Sequence, residues 1–287
     1  MSETALYLVG TPIGNLDDLS PRGVATLAAV ERVYAEDTRR TSRLFRRFSI
    51  DTPLRSLHAH NEAARAVEVI DLLAGGGSCA LVTDAGAPGV SDPGARLVRA
   101  VAEAGYRVLA VPGPSAVTAA AGLSGFPVDR FLFLGFAPRK GRHRSEWLRL
   151  CATAPVAVIA FEAPGRVAAL LREWEAEGLG SRACCVCREL TKLHEEVRRG
   201  TVASLADYYA SQDARGEVTV VLSPPADGRV VGPGPEPEAI AAKALELSRQ
   251  GLGAREISEA LQMVFGLRRN EAYAAALAAG DEEGSGR

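Results

Sequence analysis

The sequence predicts an α/β protein: two α/β domains in tandem, followed by a small helical appendage. Three observations predict it. Short β-branched runs alternate with helical patterns through the first half, as βαβ units and a parallel sheet require. The pattern restarts after Gly125-Phe126-Pro127. A stretch rich in Pro and Gly, Ser223 to Pro237, then sets off three short helical patterns. The domains are placed at 1–124 and 125–223, with a linker at 224–237 and a small helical domain at 238–287.

In the first domain, strands are predicted at Leu6–Val9, Arg32–Ala35, Leu54–Leu57, Cys79–Val82 and Arg107–Val111. Helices are predicted at Ser20–Ala29, Asn61–Leu73, Asp92–Ala104 and Ser115–Leu123, with Asn61 and Asp92 as N-caps. Gly75-Gly76-Gly77 and Gly105 end two of them. In the second domain, strands are expected at Phe131–Leu134, Val156–Phe161, Ala183–Cys187, Glu195–Arg199 and Val218–Leu222. The accompanying helices are Arg142–Cys151, Gly165–Glu177 and Ser204–Tyr209. The tail reads as helices Glu238–Gln250, Ala254–Met263 and Arg268–Ala279, with a helix-turn-helix flavour at Gly251-Leu252-Gly253.

With 287 residues, 47% of them apolar, the chain has ample material for two cores. A net charge of −2 confines any nucleic-acid contact to local patches. No apolar stretch approaches a membrane span, and the run Ala5–Val9 is too short for a signal peptide. The cysteines number five, and Cys184-Cys185-Val186-Cys187 fits alternation on a buried strand rather than a zinc pattern. A reduced, cytoplasmic protein is expected.

The most informative segment is Thr83 to Gly94, which follows a strand directly. Five of its twelve residues are Gly or Pro, and such a density fixes an irregular backbone. Ligands of open α/β sheets lie beyond the carboxyl ends of the strands, so this loop is a candidate cradle. Pro112-Gly113-Pro114-Ser115 is a second loop of the kind. A third, Gly10-Thr11-Pro12-Ile13-Gly14-Asn15, lacks the spacing of a phosphate loop and suits a border for a flat, neutral ligand.

Polar chemistry clusters elsewhere. Glu36 and Asp37 stand at a strand end, ahead of Arg39, Arg40, Arg43, Arg46 and Arg47. On a helix, Arg39, Arg43 and Arg46 or Arg47 share a face that suits a phosphate backbone. His58 and His60 in Leu57-His58-Ala59-His60-Asn61-Glu62 point alike on an extended segment, and no third ligand makes them a metal site. Hydrogen bonding or proton transfer suits them better. Arg188 to Glu196 packs charge between two strands, and Arg139 to Arg144 is a second basic run.

Together these residues resemble the tetrapyrrole-methylase-like superfamily of S-adenosylmethionine (SAM) dependent methyltransferases. Within it they are similar to the branch that 2'-O-methylates a cytidine in the decoding centre of small-subunit 16S ribosomal RNA. The carrying segments, in order, are GTPIGNLDD, AEDTRRT, HAHNE, VTDAGAPGVSDPG, VPGPSA, GFAPRKG, RELTKLHEE and GEVTVVL, over about residues 4 to 222. One departure is Phe161-Glu162-Ala163-Pro164-Gly165-Arg166, where relatives commonly carry Tyr at the position of Phe161, Ser at that of Ala163 and His at that of Gly165, while Glu162 and Arg166 match.

The resemblance implies two αβα domains with a ligand cleft between them, SAM within it, and a homodimer acting on ribosomal RNA or a ribosomal particle; the residues themselves predict no metal. It implies donor contacts from Thr11, Pro12, Asp84, Gly86, Ala87, Val90, Ser115, Ala116, Phe161, Glu162, Val218 and Thr219. RNA contacts would come from Arg39, Arg40, Arg43, Arg142 and Arg144. Glu36, Asp37, His60, Glu62 and Glu189 are candidate bases, and Lys192 a candidate for positioning phosphate or lowering the hydroxyl pKa. Two other readings stand beside it: a methyltransferase for a corrin-type tetrapyrrole, and a ligand-sensing nucleic-acid-binding regulator. The tail's eight acids against six bases disfavour the regulator.

Overall fold

The structure is a computed structural model that describes residues 3–212, 214–225, 237–265, 267 and 269–284, the last five by backbone alone. Most of the predicted linker lies outside the described residues. By its contacts the chain divides into Met1–Ala120 with Arg188–Glu196, and Ala121–Cys187 with Val197–Arg287. The segment Arg188–Glu196 thus groups with the first unit, not the second as its chain position predicts.

The first unit holds strands β1 (Ala5–Val9), β2 (Arg32–Ala35), β3 (Leu54–Ser56), β4 (Cys79–Val82) and β5 (Arg107–Val111). Helices α1 (Pro21–Ala29), α2 (Thr38–Phe48), α3 (Glu62–Ala74), α4 (Ala95–Glu103) and α5 (Ala116–Ser124) follow them in turn. The order is β3-β2-β4-β1-β5, parallel throughout. Alternation along each strand splits the core in two. Val33, Ala35, Ala80 and Val82 face Leu27, Leu44 and Phe45 of α1 and α2. Tyr34, Cys79 and Leu81 face Val69, Leu73, Leu97 and Val101 of α3 and α4. The sheet is therefore covered on both faces. The connection after β1 runs toward β2 and that after β4 toward β5, so the order switches between these neighbours. A ligand crevice belongs at such a point.

Helix α2 is absent from the predicted helices. Its arginines mask the apolar signal, but Thr41, Leu44 and Phe45 bury one narrow stripe. Asp92 does not cap α4; Gly94 occupies that position, with φ 135° and no side-chain cap of its own. Asn61 stands at the N-cap of α3 but turns its side chain to His58 N (2.9 Å) instead.

The second unit carries β6 (Phe131–Phe136), α6 (Arg142–Thr153), β7 (Ala157–Glu162), α7 (Val167–Trp174), β8 (Ala183–Arg188), β9 (Glu196–Thr201), α8 (Val202–Ser211) and β10 (Val218–Leu222). Its sheet runs β6-β7-β10-β8-β9 and is mixed, since β10 lies antiparallel to β7. Trp147, Leu170, Trp174, Leu205 and Tyr209 of α6, α7 and α8 share one core with Cys184 and Val186. All five cysteines are free and buried. The tail forms α9 (Pro237–Arg249), α10 (Ala254–Phe265) and α11 (Arg269–Gly284), around Ala244, Leu247, Ile257, Leu261 and Ala272.

Candidate active site

The loops after β1, β4 and β5 meet because two glycines let backbone touch backbone. A Cβ on Gly10 would lie 2.7 Å from Gly113 N, and one on Gly113 only 2.6 Å from Gly10 O. Thr11 is buried and ties β1 to the β4 loop: Thr11 N donates to Gly86 O (2.9 Å), Gly86 N to Thr11 O (3.1 Å), and Thr11 Oγ1 to Thr83 O (3.0 Å). Gly86 sits at φ 86° and Gly89 at φ 81°, which glycine alone adopts without strain. Pro12 is buried beside them; Ala87, Ser115 and Ala116 are half-buried, and Val90 is exposed. Gly113→Ala is expected to force these loops apart and to weaken binding of a crevice ligand at least about tenfold, because a backbone oxygen cannot swing away as a side chain can. Isothermal calorimetry checks this; unchanged affinity would show the contact to be dispensable.

Carboxylates gather at the ends of β2 and β4. Thr83 Oγ1 donates to Glu36 Oε2 (3.2 Å). Burial raises the Glu36 pKa, and the charges of Asp92 and Asp84 raise it further. Asp92 is raised too, first by burial and then by Asp84, against a lowering hydrogen bond from Thr83. Asp37 behaves oppositely. It caps α2, accepting from Arg39 N (2.9 Å), Nε (3.1 Å) and Nη2 (2.9 Å), and its pKa falls to about 2 through the Arg39 hydrogen bonds. Asp84 accepts from Asp37 N (3.0 Å) and pairs with Arg40 (3.4 Å). Arg39, Arg40, Arg43, Arg46 and Arg47 are all exposed on α2. Arg47 also reaches Asp17 (2.9 Å).

His58 and His60 are exposed with ring centroids 5.9 Å apart, but they stand on a turn that Asn61 N closes by donating to His58 O (3.0 Å), not on the extended segment their spacing predicts. Glu62 is a different matter. It is 5% exposed, and its Oε1 accepts from Gly94 N (3.1 Å), Arg96 N (2.8 Å) and Leu97 N (3.0 Å). Buried, and with its Oε1 already taken by three backbone amides, Glu62 is spent on structure, so it is removed from the candidate bases.

The Arg188–Glu196 connection is braced. Glu189 (φ 52°) and Thr191 (φ 64°) take left-handed backbone conformations, rare for residues other than glycine. Lys192 Nζ lies 2.8 Å from Glu189 Oε1, and Thr191 N donates to Glu195 Oε2 (2.5 Å). Thr191 Oγ1 accepts from Asn15 N (3.0 Å), which brings Glu189 and Lys192 to the β1 loop. Gly14 makes that approach possible: a Cβ there would fall 2.5 Å from Lys192 Cγ and 2.9 Å from Leu190 O.

In the second unit, Val218 and Thr219 pair with Glu162 and Phe161 across the β10–β7 ladder. Phe161 packs its ring against Phe133 and Phe136, at 5.0 and 5.2 Å. Glu162 has a fully buried side chain; it pairs with Arg166 and lies 3.7 Å from Arg144 Nη1. Arg144 corrects its predicted role. It is 7% exposed and clamped on Glu173 and Pro138 O, leaving no surface for RNA. Arg142 is exposed and pairs with Glu146 (2.6 Å). Among the described residues no group of three or more His, Cys, Asp or Glu can hold a metal ion, and no helix is long and apolar enough to cross a membrane.

Fold and strand-end loops define a methylase of the tetrapyrrole type: the family model described as Tetrapyrrole (Corrin/Porphyrin) Methylases matches residues 5–206. A Mesorhizobium japonicum protein named ribosomal RNA small subunit methyltransferase I is 42% identical over 286 residues, covering 99% of this chain and 95% of that one. A Synechocystis protein of the same name is 44% identical over 218 residues, 76% of this chain and 78% of its own. The chain belongs to the tetrapyrrole methylase family and, within it, to the family of these ribosomal RNA small subunit methyltransferase I proteins. The crystal structure of diphthine synthase shares the fold, with TM-score 0.59 at 17% identity over 76% of this chain and 90% of that one.

Proposed function

We propose that the protein is a SAM-dependent methyltransferase of small-subunit ribosomal RNA, and that the methyl group goes to the 2'-oxygen of a cytidine ribose in the decoding centre. The near-full-length likeness to relatives of that name carries the reading. The site chemistry fits the donor. Glu36, Asp84 and Asp92 crowd negative charge at the strand ends, and two of them hold protons more tightly than usual. A sulfonium and an ammonium group offset such charge. The Gly/Pro loops that the Gly10–Gly113 approach draws together would border a flat, neutral base.

SAM supplies an activated methyl group, so the chain's task is alignment, which can contribute about 7–11 kcal/mol. Of the candidate bases, Asp37 is held by Arg39, Glu62 by α4 and Glu189 by Lys192. His60 is exposed on a turn. Glu36, with its raised proton affinity at a strand end, is the base of this account: it takes the proton of the attacking 2'-hydroxyl. Lys192 anchors a neighbouring phosphate. Arg39, Arg40 and Arg43 hold the RNA backbone, Arg46 extends the helix face of Arg39 and Arg43, and Arg142 remains a candidate contact. The protein is read as a cytoplasmic homodimer.

Arg43→Ala with Arg46→Ala is expected to lower RNA affinity and to flatten its salt dependence by about 0.7 in log–log slope per lost phosphate contact, with the melting temperature held. Filter binding at several salt concentrations tests this. A parallel downward shift with unaltered slope would remove these arginines from the RNA surface. Transfer of labelled methyl from SAM to ribosomal RNA tests the reaction itself; no transfer to RNA or to small subunits would refute it.

A further inference from the structure

We infer that Glu62 is a positioning residue, which holds the Thr83–Gly94 loop in its donor-binding form by capping α4 from another helix. This deepens the proposed function and rests on its assignment of the loop to the donor. The loop is fastened at its front end, where Thr11 exchanges two backbone hydrogen bonds with Gly86. Between Ala87 and Pro93 the backbone is irregular, with Gly89 and Ser91 at φ 81° and 63°. Its far end is Gly94, the N-cap of α4, which brings no side chain to the first amides of that helix. A Cβ at Gly94 would meet Leu81 Cδ2 at 2.7 Å, so the sequence cannot place Asp or Ser there at φ 135° without strain.

Glu62, 32 positions earlier, does what an N-cap side chain does. Its Oε1 takes the amides of Arg96 and Leu97, the N2 and N3 donors an N-cap side chain normally satisfies, and the amide of the cap residue Gly94 as well. Burial makes the carboxylate hard to replace by water. The negative charge also faces the positive end of α4. Because Glu62 is the first residue of α3, the β4 loop is registered against a second helix rather than only against its own. Removing the carboxylate leaves the donor-competent loop a minor population, and apparent affinity falls by that fraction.

The test uses the full chain, with SAM in a calorimeter and small-subunit RNA in a turnover assay. Glu62→Ala is expected to raise the Kd for SAM about tenfold or more while kcat at saturating SAM stays within about threefold. Glu62→Gln keeps an acceptor oxygen and is expected to restore affinity to within about threefold. Amide exchange at Gly94, Arg96 and Leu97 should quicken in Glu62→Ala. An unaltered Kd and unaltered exchange in Glu62→Ala would overturn the inference. So would a collapse of kcat with Kd held, which would make Glu62 the base itself. If Glu62→Ala fails to fold, Glu62→Asp withdraws the oxygen by one methylene and should give an intermediate loss of affinity; a parental Kd there overturns the inference equally. A parent protein that takes up no SAM would instead refute the proposed function, while the exchange measurement still decides the cap.

Discussion

Glu36→Gln is expected to lose methyl transfer by about 10²–10⁴-fold and yet to melt at a higher temperature than the parent at pH 7. Both follow from one environment. Burial and the charges of Asp92 and Asp84 raise the Glu36 pKa in the folded state. A carboxyl whose folded pKa is raised contributes stability that is fully present below its unfolded pKa and disappears as pH rises through the folded value. At pH 7 the folded protein therefore carries an unfavourable charge, which an amide removes. The same charge makes Glu36 a better proton acceptor than an ordinary glutamate, and the amide abolishes it. Methyl transfer should rise with pH through a midpoint above the usual glutamate range of about 4.3. A melting scan paired with a pH–rate profile checks this. Lost activity with lowered stability would mean a structural role. Parental activity would remove Glu36 from the chemistry.

Arg144→Ala is expected to destabilise the second unit by about 3–5 kcal/mol, a drop in melting temperature on the order of 10 °C. The substitution strips Glu162, whose side chain is fully buried, of one of its two arginines, and leaves Glu173 without its clamp. A buried carboxylate left short of positive charge is among the costliest defects a core can carry. Arg142→Ala, on the same helix but exposed, serves as the contrast, since removal of a surface pair costs at most about 1 kcal/mol. Thermal unfolding of both variants decides the matter. Equal, small losses would return Arg144 to the surface role its basic neighbours predict.

The contrast between those two arginines marks where sequence reading stopped. Strands β1, β2, β4 and β5 were legible because alternation of buried side chains and Gly/Pro-rich loops are local signals. Arg144 was not, because its partner Glu173 lies 29 positions away on α7. Helix α2 was obscured by its arginines, which dilute an apolar stripe of only Thr41, Leu44 and Phe45. Among the site residues, the glycine-rich loops were recognised from composition. Their mutual contact, Gly10 on Gly113 and Gly14 on Lys192, is long-range and invisible to any local window. Asp92 looked like the N-cap of α4 because it precedes the helix, whereas the capping oxygen comes from Glu62. Sequence placed Asp37 and Glu36 as equals. The Arg39 hydrogen bonds on one side, and burial with the charges of Asp92 and Asp84 on the other, separate a carboxylate held near pKa 2 from one held above its ordinary value.

The most direct measurement is nucleotide-resolution mapping of the methyl group after purified protein, SAM and small ribosomal subunits from a strain lacking this gene are combined. One new ribose methylation is expected, on a cytidine of the decoding centre, and Glu36→Gln should fail to install it. A methyl group found on a nucleobase, or none on the RNA at all, would contradict it.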